Sequence, residues 1–475
     1  MRILVIGGGI AGLTAAHRLL TRAGLPPTAP GNAPEVTVLE ASRRLGGKLL
    51  PGEIAGVEVD LGAESMLARR PEAVELARAV GLGPRLQPPA VAGGALWTRG
   101  AVRPMPRGHL MGVPAAPDAL AGVLSPEGLA RVAEDAELPR TEIGEDVTVG
   151  GYVAARLGRE VVDRLVAPLL GGVYAGDAYR ISLRAALPKL FDAARDERSL
   201  LAAVRAVQSA AAAEATASGP VFMGIEGGVG RLPLAVADAV RAAGGRISTG
   251  VAARELLRAP GGWTVTTDDG VHQADAVVLA VPAPVAARLL RREAPEAAEA
   301  LTGVAYASLA LCTLAFRRSD LGTPPPEGSG FLVPSVDGHT IKAATFASNK
   351  WSWIAAQDPE LFVLRTSLGR FGEDAVLGLD DAELVAASRA DLRASVGLTA
   401  PPVAGRVTRW TDGLPQYAVG HVDRVARVRE AVEALPGLAV CGAVYDGVGI
   451  PACVASAHRA ADRTLARAAV ARERE

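Results

Sequence analysis

The stretch Met1-Arg2-Ile3-Leu4-Val5-Ile6-Gly7-Gly8-Gly9-Ile10-Ala11-Gly12 decides the fold. Ile3 to Ile6 form a short apolar run suited to a buried strand. The run stops at Gly7, and Gly7, Gly9 and Gly12 fall in the G-x-G-x-x-G spacing. Leu13 to Leu20 then carry a helical pattern. Each glycine has a mechanical reason. Gly7 permits a tight turn, Gly9 lets a pyrophosphate approach the backbone, and Gly12 lets the helix pack close to the strand. With Gly8, Ile10 and Ala11 they form a loop whose N–H groups, backed by the positive end of a helix, suit phosphates. The expected fold class is α/β, with a Rossmann-like nucleotide-binding domain.

The next segments extend this unit. Glu35 to Glu40 reads as a second strand ending in a carboxylate that can accept hydrogen bonds from ribose hydroxyls. Glu40 lies further past Gly12 than the usual offset of about 20 residues. The loop Leu25 to Pro34, with four prolines and a glycine, accounts for the excess. Val57 to Ser65 reads as a strand entering a turn, and Pro71 to Val80 as a helix closed by Gly81.

Bulk properties narrow the function. The 475 residues allow two or three domains, and 49% are hydrophobic. A net charge of −1 gives no electrostatic reason to bind nucleic acid. Lysine occurs only at 48, 189, 342 and 350, with arginine elsewhere, as a GC-rich coding bias would produce. Cys312, Cys441 and Cys453 match no metal-ligand spacing and no even-numbered disulfide framework, so no metal is expected and a reducing, cytoplasmic setting fits. The apolar N-terminus lacks the leader and cleavage site of a signal peptide. Leu301 to Phe316 is too short to span a bilayer. The mildly positive mean hydropathy leaves peripheral membrane contact open.

Further along, Ala95 to Pro104 suits a hairpin, Thr148 and Ser182 suit helix N-caps, and Ser199 to Ser218 suits a long helix. Strand–helix alternation resumes near Pro220, with strands at 221–224, 246–251, 263–267 and 276–280 and a helix over 230–243. A strand-rich block covers 306–370, and Asp380 to Val396 is an acidic-start helix. Near the C-terminus, strand Leu438 to Cys441, turn Gly442 to Gly449 and a helix from Pro451 repeat the opening grammar. This predicts two interleaved domains. A nucleotide domain takes 1–85, 220–300 and 405–475, and an α+β substrate domain takes 86–219, largely helical, and 301–404. A ligand belongs where they meet.

Ala41-Ser42-Arg43-Arg44-Leu45-Gly46-Gly47-Lys48 resembles the segment beside the cofactor pyrophosphate in FAD-dependent oxidoreductases of the amine oxidase superfamily. Internal segments narrow the resemblance. Pro104-Met105-Pro106-Arg107-Gly108, Ala167 to Asp177, Gly227 to Pro233, Gly330-Phe331-Leu332-Val333-Pro334, Trp410 to Tyr417 with Gly420-His421, and Gly447 to Cys453 are similar to the bacterial coproporphyrinogen III and protoporphyrinogen oxidase family, in its order and across the chain. The resemblance implies FAD in a glutathione-reductase or amine-oxidase type of fold. It implies pyrophosphate at Gly7 to Gly12 and adenosine ribose at Glu40 and Ala41. Lys48, Gly62, Ala63, Glu64 and Ser65 would lie on the ribityl and flavin side. Val251 would meet adenine through its backbone, and Trp410, Val448, Gly449 and Ile450 would border the isoalloxazine.

The implied reaction is three two-electron oxidations of a porphyrinogen, with dioxygen as acceptor and hydrogen peroxide released, in haem biosynthesis. No catalytic base is identifiable, and Glu64 is the one candidate proton acceptor. Phe331 and Leu332 are candidate walls of an apolar slot, and Arg99, Arg103, Arg107, Lys342 and Arg365 candidate cations for propionates. Coproporphyrinogen III, with four propionates, is favoured over protoporphyrinogen IX, with two. A transient handover to a ferrochelatase would follow. The rival readings are a flavin amine oxidase, for which Tyr445 lacks an evident aromatic partner, and a porphyrin carrier without turnover. A NAD(P)-dependent reductase would call for a second glycine fingerprint.

Overall fold

In the strand Arg2–Ile6, Ile3 and Val5 face one hydrophobic core while Leu4 and Ile6 face another. Burial on both sides is what a parallel strand requires, and it explains the unbroken apolar run. A computed structural model describes residues 1–21, 34–91, 93–214, 219–322 and 325–472. The proline-rich loop expected from Leu25 falls, up to residue 33, outside the described residues, as do residues 215–218 at the end of the expected long helix. That helix runs Leu200–Glu214.

Five parallel strands lie in the order Arg246–Thr249, Glu35–Glu40, Arg2–Ile6, Ala276–Leu279, Leu438–Val440. Helices Ile10–Thr21, Arg231–Ala242 and Ile450–Arg472 cover one face through Leu13, Val236 and Val454. On the other face lies an antiparallel meander, Ala253–Ala259, Gly262–Thr267 and Gly270–Ala274, packing Leu256, Trp263 and Val265 inward. The first of these strands escapes a reading by period, because a register shift between Ala253 and Glu255 breaks its alternation.

A second sheet has seven strands, in the order Ala404–Pro415, Tyr306–Arg317, Leu361–Leu368, Ile341–Thr345, Gly330–Leu332, Ala95–Thr98, Ala101–Pro104. Helix Asp381–Val396 covers one face, setting Leu384 and Leu392 against Phe316, Phe331 and Phe362. The opposite face carries small side chains. Ala343 pairs with Ser367 and Thr345 with Arg365, and all four are half-buried although their strands are central. Beside this face stands a helical block, including Val149–Leu157, Ala167–Tyr174 and Pro188–Asp196, with its own core. Thr148 and Ser182 cap helices as expected, accepting from the N–H groups of Gly151 and Ala185.

One boundary needs correction. The strand Ala404–Pro415, assigned from residue 405 to the nucleotide domain, pairs along Tyr306–Arg317 as an edge of the seven-stranded sheet. Exposed Arg406, Arg409, Thr411 and Asp412 among half-buried residues mark a partly solvated edge strand rather than a fully buried one. Leu301 to Phe316 resolves into a helix end and the strand Tyr306–Arg317. Among the described residues, no helix is long and apolar enough to cross a membrane.

Candidate cofactor and substrate site

The glycine turn is built for two different purposes. A β-carbon on Gly12 would lie 1.8 Å from the Gly7 carbonyl oxygen, and one on Gly7 would lie 2.3 Å from that of Ala280. These two glycines serve the protein's own packing. Gly9 differs: its β-carbon would meet only the Cα of Gly47, at 3.9 Å. The chain leaves that side open, at the start of the helix Ile10–Thr21, where an anion is favoured. The Gly46 N–H donates to the Gly8 carbonyl at 2.9 Å, which folds the Gly46-Gly47 segment over the turn.

Glu40 ends its strand beside this turn. Its two oxygens accept from the N–H of Gly8 at 2.6 Å and of Ser42 at 2.8 Å. The carboxylate therefore braces the loop, and each oxygen keeps a further acceptor direction. Ala41 is exposed. The Val251 N–H is spent on the Glu40 carbonyl at 2.9 Å.

The expected flavin-side residues converge. The Trp410 indole N–H donates to the Leu61 carbonyl at 3.0 Å, and a β-carbon on Gly62 would strike both the Lys48 carbonyl and the Trp410 ring. The Ala63 N–H donates to the Lys48 carbonyl. Burial pulls the Lys48 ammonium below its usual range, and neighbouring Cys453 places it beside the C-terminal helix. In the C-terminal turn, Gly442 lies against Ala11, Val448 packs on the core of the helical block, and Ile450 enters the core of the nucleotide sheet. Arg429 and Arg459 both reach Asp446 at 2.5 Å and pin this turn.

Glu64 sits in a buried ion cluster. Lys350 Nζ lies 2.6 Å from one carboxylate oxygen and Arg365 Nε 3.3 Å from the other, and Arg365 also donates to the Gly62 carbonyl at 2.7 Å. Burial opposes ionisation, but the two cations outweigh it and hold the carboxyl below its usual range. Four residues earlier, Asp60 accepts from the N–H groups of Val229 and Gly230 at 2.9 Å each, before the helix Arg231–Ala242. Burial pushes its carboxyl up to about 7 against those bonds and Arg365. Glu64 is thus a clamp for the flavin-side turn, and a carboxylate so neutralised is a poor proton acceptor.

Several expected substrate contacts are placed differently. Phe331 is buried on the far face of the sheet, edge-on to Trp97 and Phe346, and is no pocket wall. Period two then puts its neighbour Leu332 on the open face, 3.6 Å from where Gly172 would carry a β-carbon. Arg365 is committed to Glu64 and Gly62. Lys342 is buried, donates to the Gly369 carbonyl at 2.6 Å and is drawn down to about 7 by burial, so it is no rim cation. Arg99 is held by the Val123 carbonyl and Glu160. Arg107 is exposed, and Arg103 is half-buried with its Nε lacking a protein partner. Tyr445 is buried in the meander-side core. Sequence reasoning missed Lys350 and Asp60. The scarcity of lysine was the one available pointer to Lys350, and Asp60 ends the strand Val57–Asp60 much as Glu40 ends its own.

These placements mark out a candidate cleft between the small-residue sheet face and the helix Ala167–Tyr174. Its floor is the small-residue face formed by Ala343, Thr345 and Ser367. Its wall is the helix Ala167–Tyr174, where a β-carbon on Gly171 would meet nothing within 4 Å. Arg365 shares that sheet face, and Val448 packs on the core of the helical block.

Residues 10–465 match the flavin containing amine oxidoreductase family, and the chain belongs to that family. The open side of Gly9, the helix end behind it and the converging turns fit FAD, which is the cofactor. Among individual proteins, the chain is 38% identical over 458 residues to a coproporphyrinogen III oxidase of Mycobacterium tuberculosis, covering 96% of this chain and 95% of that one. It is 30% identical to the Bacillus subtilis protein of that name over 462 residues, covering 95% of each. A crystal structure from Exiguobacterium sp. 255-15, assigned provisionally as a protoporphyrinogen oxidase, superposes with a TM-score of 0.83 at 32% identity, covering 97% of this chain and 98% of that one.

Proposed function

We propose that this protein oxidises coproporphyrinogen III to coproporphyrin III in haem biosynthesis. Full-length similarity to proteins of that name, joined to an intact nucleotide cradle, carries the reading. The substrate loses six electrons in three two-electron steps. When bound, FAD accepts hydride equivalents and passes electrons to dioxygen, giving hydrogen peroxide.

The chain's own residues orient and exclude. Two interleaved domains meet at the cleft, and the flat reduced macrocycle slides between the sheet face at Ala343, Thr345 and Ser367 and the helix Ala167–Tyr174. Gly171 leaves space beside the helix, and Leu332, next to Gly172, supplies apolar contact. The Glu64–Lys350–Arg365 cluster fixes the turn at Gly62 to Ser65, so substrate sheet and flavin side keep one spacing. Aromatisation drives each step, and no side chain need act as a strong base. Arg103 and Arg107, unlike Arg99, Lys342 and Arg365, remain the cations proposed for propionates. A cytoplasmic location, peripheral membrane contact and a handover to a ferrochelatase belong to the same reading.

Protoporphyrinogen IX is the second substrate to weigh, because the similar Exiguobacterium structure carries that name. Aerobic turnover of both porphyrinogens, with porphyrin fluorescence and peroxide as readouts, decides the matter. Faster oxidation of coproporphyrinogen III is expected, and oxidation of neither would overturn the proposal.

A further inference from the structure

The segment Pro415–His421 was singled out by sequence similarity, yet no step above uses it. The structure ties it to both sides of the cleft. Toward the helical block, Gln416 Nε2 donates to the Tyr174 carbonyl at 2.8 Å, at the end of the helix that walls the cleft. The Ser182 N–H donates to the Tyr417 carbonyl at 2.7 Å, and the Gly420 N–H donates to Asp146 at 2.9 Å. The Tyr417 ring lies 5.6 Å from that of Tyr174.

Toward the flavin side, the Tyr417 hydroxyl donates to the Ala443 carbonyl. His421 Nε2 lies 2.9 Å from the Val444 carbonyl, which fixes the proton on Nε2 and leaves buried Nδ1 without a partner. The two rings stack with centroids 4.0 Å apart and planes 13° from parallel. Two adjacent backbone carbonyls of the turn Gly442–Gly449, those of Ala443 and Val444, are therefore held by two aromatic side chains whose own segment is fastened to the substrate side. Gly420, at φ 81°, allows the sharp change of direction from strap into helix.

We propose that Tyr417 and His421 are positioning residues, a strap that sets the C-terminal flavin turn in register with the helix lining the substrate cleft. The inference rests on FAD lying at that turn and on the proposed oxidation. Neither side chain is asked to touch substrate. A displaced turn would misplace the reacting partners, and an error of about 1 Å can cost about a hundredfold in rate.

The test compares Tyr417→Phe, His421→Gln and His421→Leu in the full-length holoenzyme. Tyr417→Phe keeps the stack and removes the hydroxyl alone. His421→Gln retains a donor for Val444, whereas His421→Leu does not. Expected for Tyr417→Phe and His421→Leu are a shifted visible flavin spectrum, weaker FAD binding by the apoprotein and a kcat for coproporphyrinogen III lower by about tenfold or more. KM should change little, and His421→Gln should recover most of the loss. An unchanged spectrum, FAD affinity and kcat in Tyr417→Phe would overturn the strap, and so would equal losses in Gln and Leu at His421. If the wild type oxidises no porphyrinogen, the substrate reading fails, while the spectrum and FAD affinity still judge the strap.

Discussion

Single residues in this protein separate packing from ligand binding with unusual clarity at the glycine turn. Gly9→Val should leave a folded protein that retains no FAD, because the new side chain points into space that the polypeptide leaves open. Gly12→Ala should instead destabilise the fold itself, on the order of 2–3 kcal/mol, because its β-carbon collides with the Gly7 carbonyl. Flavin content and urea melts of the two apoproteins, side by side, check the contrast. Full flavin occupancy in Gly9→Val would refute the placement of the pyrophosphate. His421 supplies a pH signature. Burial, and behind it Arg424, lower its pKa to about 4, against the opposing Val444 carbonyl and Asp146. Between about 6.5 and 4 the unfolded chain takes up a proton that the folded one refuses. Stability should therefore fall as pH drops through that window, by at most about 3 kcal/mol. Denaturant midpoints at pH 7.5 and 5 should differ less in His421→Gln than in wild type. The packing roles of Gly7 and Gly12 were legible in the sequence because spacing encodes them. The partners of Arg99, Lys342 and Arg365 were not, because a cation and its counter-charge can lie hundreds of positions apart, as Glu64 and Arg365 do.

At the scale of elements, local signals were the reliable ones. Thr148, Ser182 and Asp380 announced helix starts because an N-cap acts on a backbone group only three residues away. Asp380 forms a reciprocal capping box with Glu383 at the start of Asp381–Val396. Asp380→Ala should lower stability by about 1 kcal/mol while leaving flavin content and turnover intact. A thermal melt and an absorption spectrum of one preparation suffice, and lost flavin would place that helix closer to the cofactor than the fold does. Edges were harder. Ala404–Pro415 gains its membership of the seven-stranded sheet from Tyr306–Arg317, about a hundred residues earlier. Phe331 and Leu332 were both legible as apolar, but only strand register says which one faces the cleft.

For the molecule as a whole, the proposed placement of the cofactor bridges segments that lie far apart in sequence. The turns at Gly7, Lys48, Gly62 and Gly442 all converge, and a ligand bound only by the folded state adds stability by mass action. Stripping FAD should lower the melting temperature, and free FAD at a hundred times its dissociation constant should restore about 2.7 kcal/mol. Calorimetry of the stripped and reconstituted protein measures this, and identical transitions would mean that the cofactor does not join these segments.

The two sheets also alternate along the gene. Strands of the first come from 2–6, 35–40, 246–249, 276–279 and 438–440, and those of the second from stretches in between. No contiguous exon-like fragment encodes either one. Exchanging any single continuous stretch that holds the whole second sheet therefore also exchanges strands of the first.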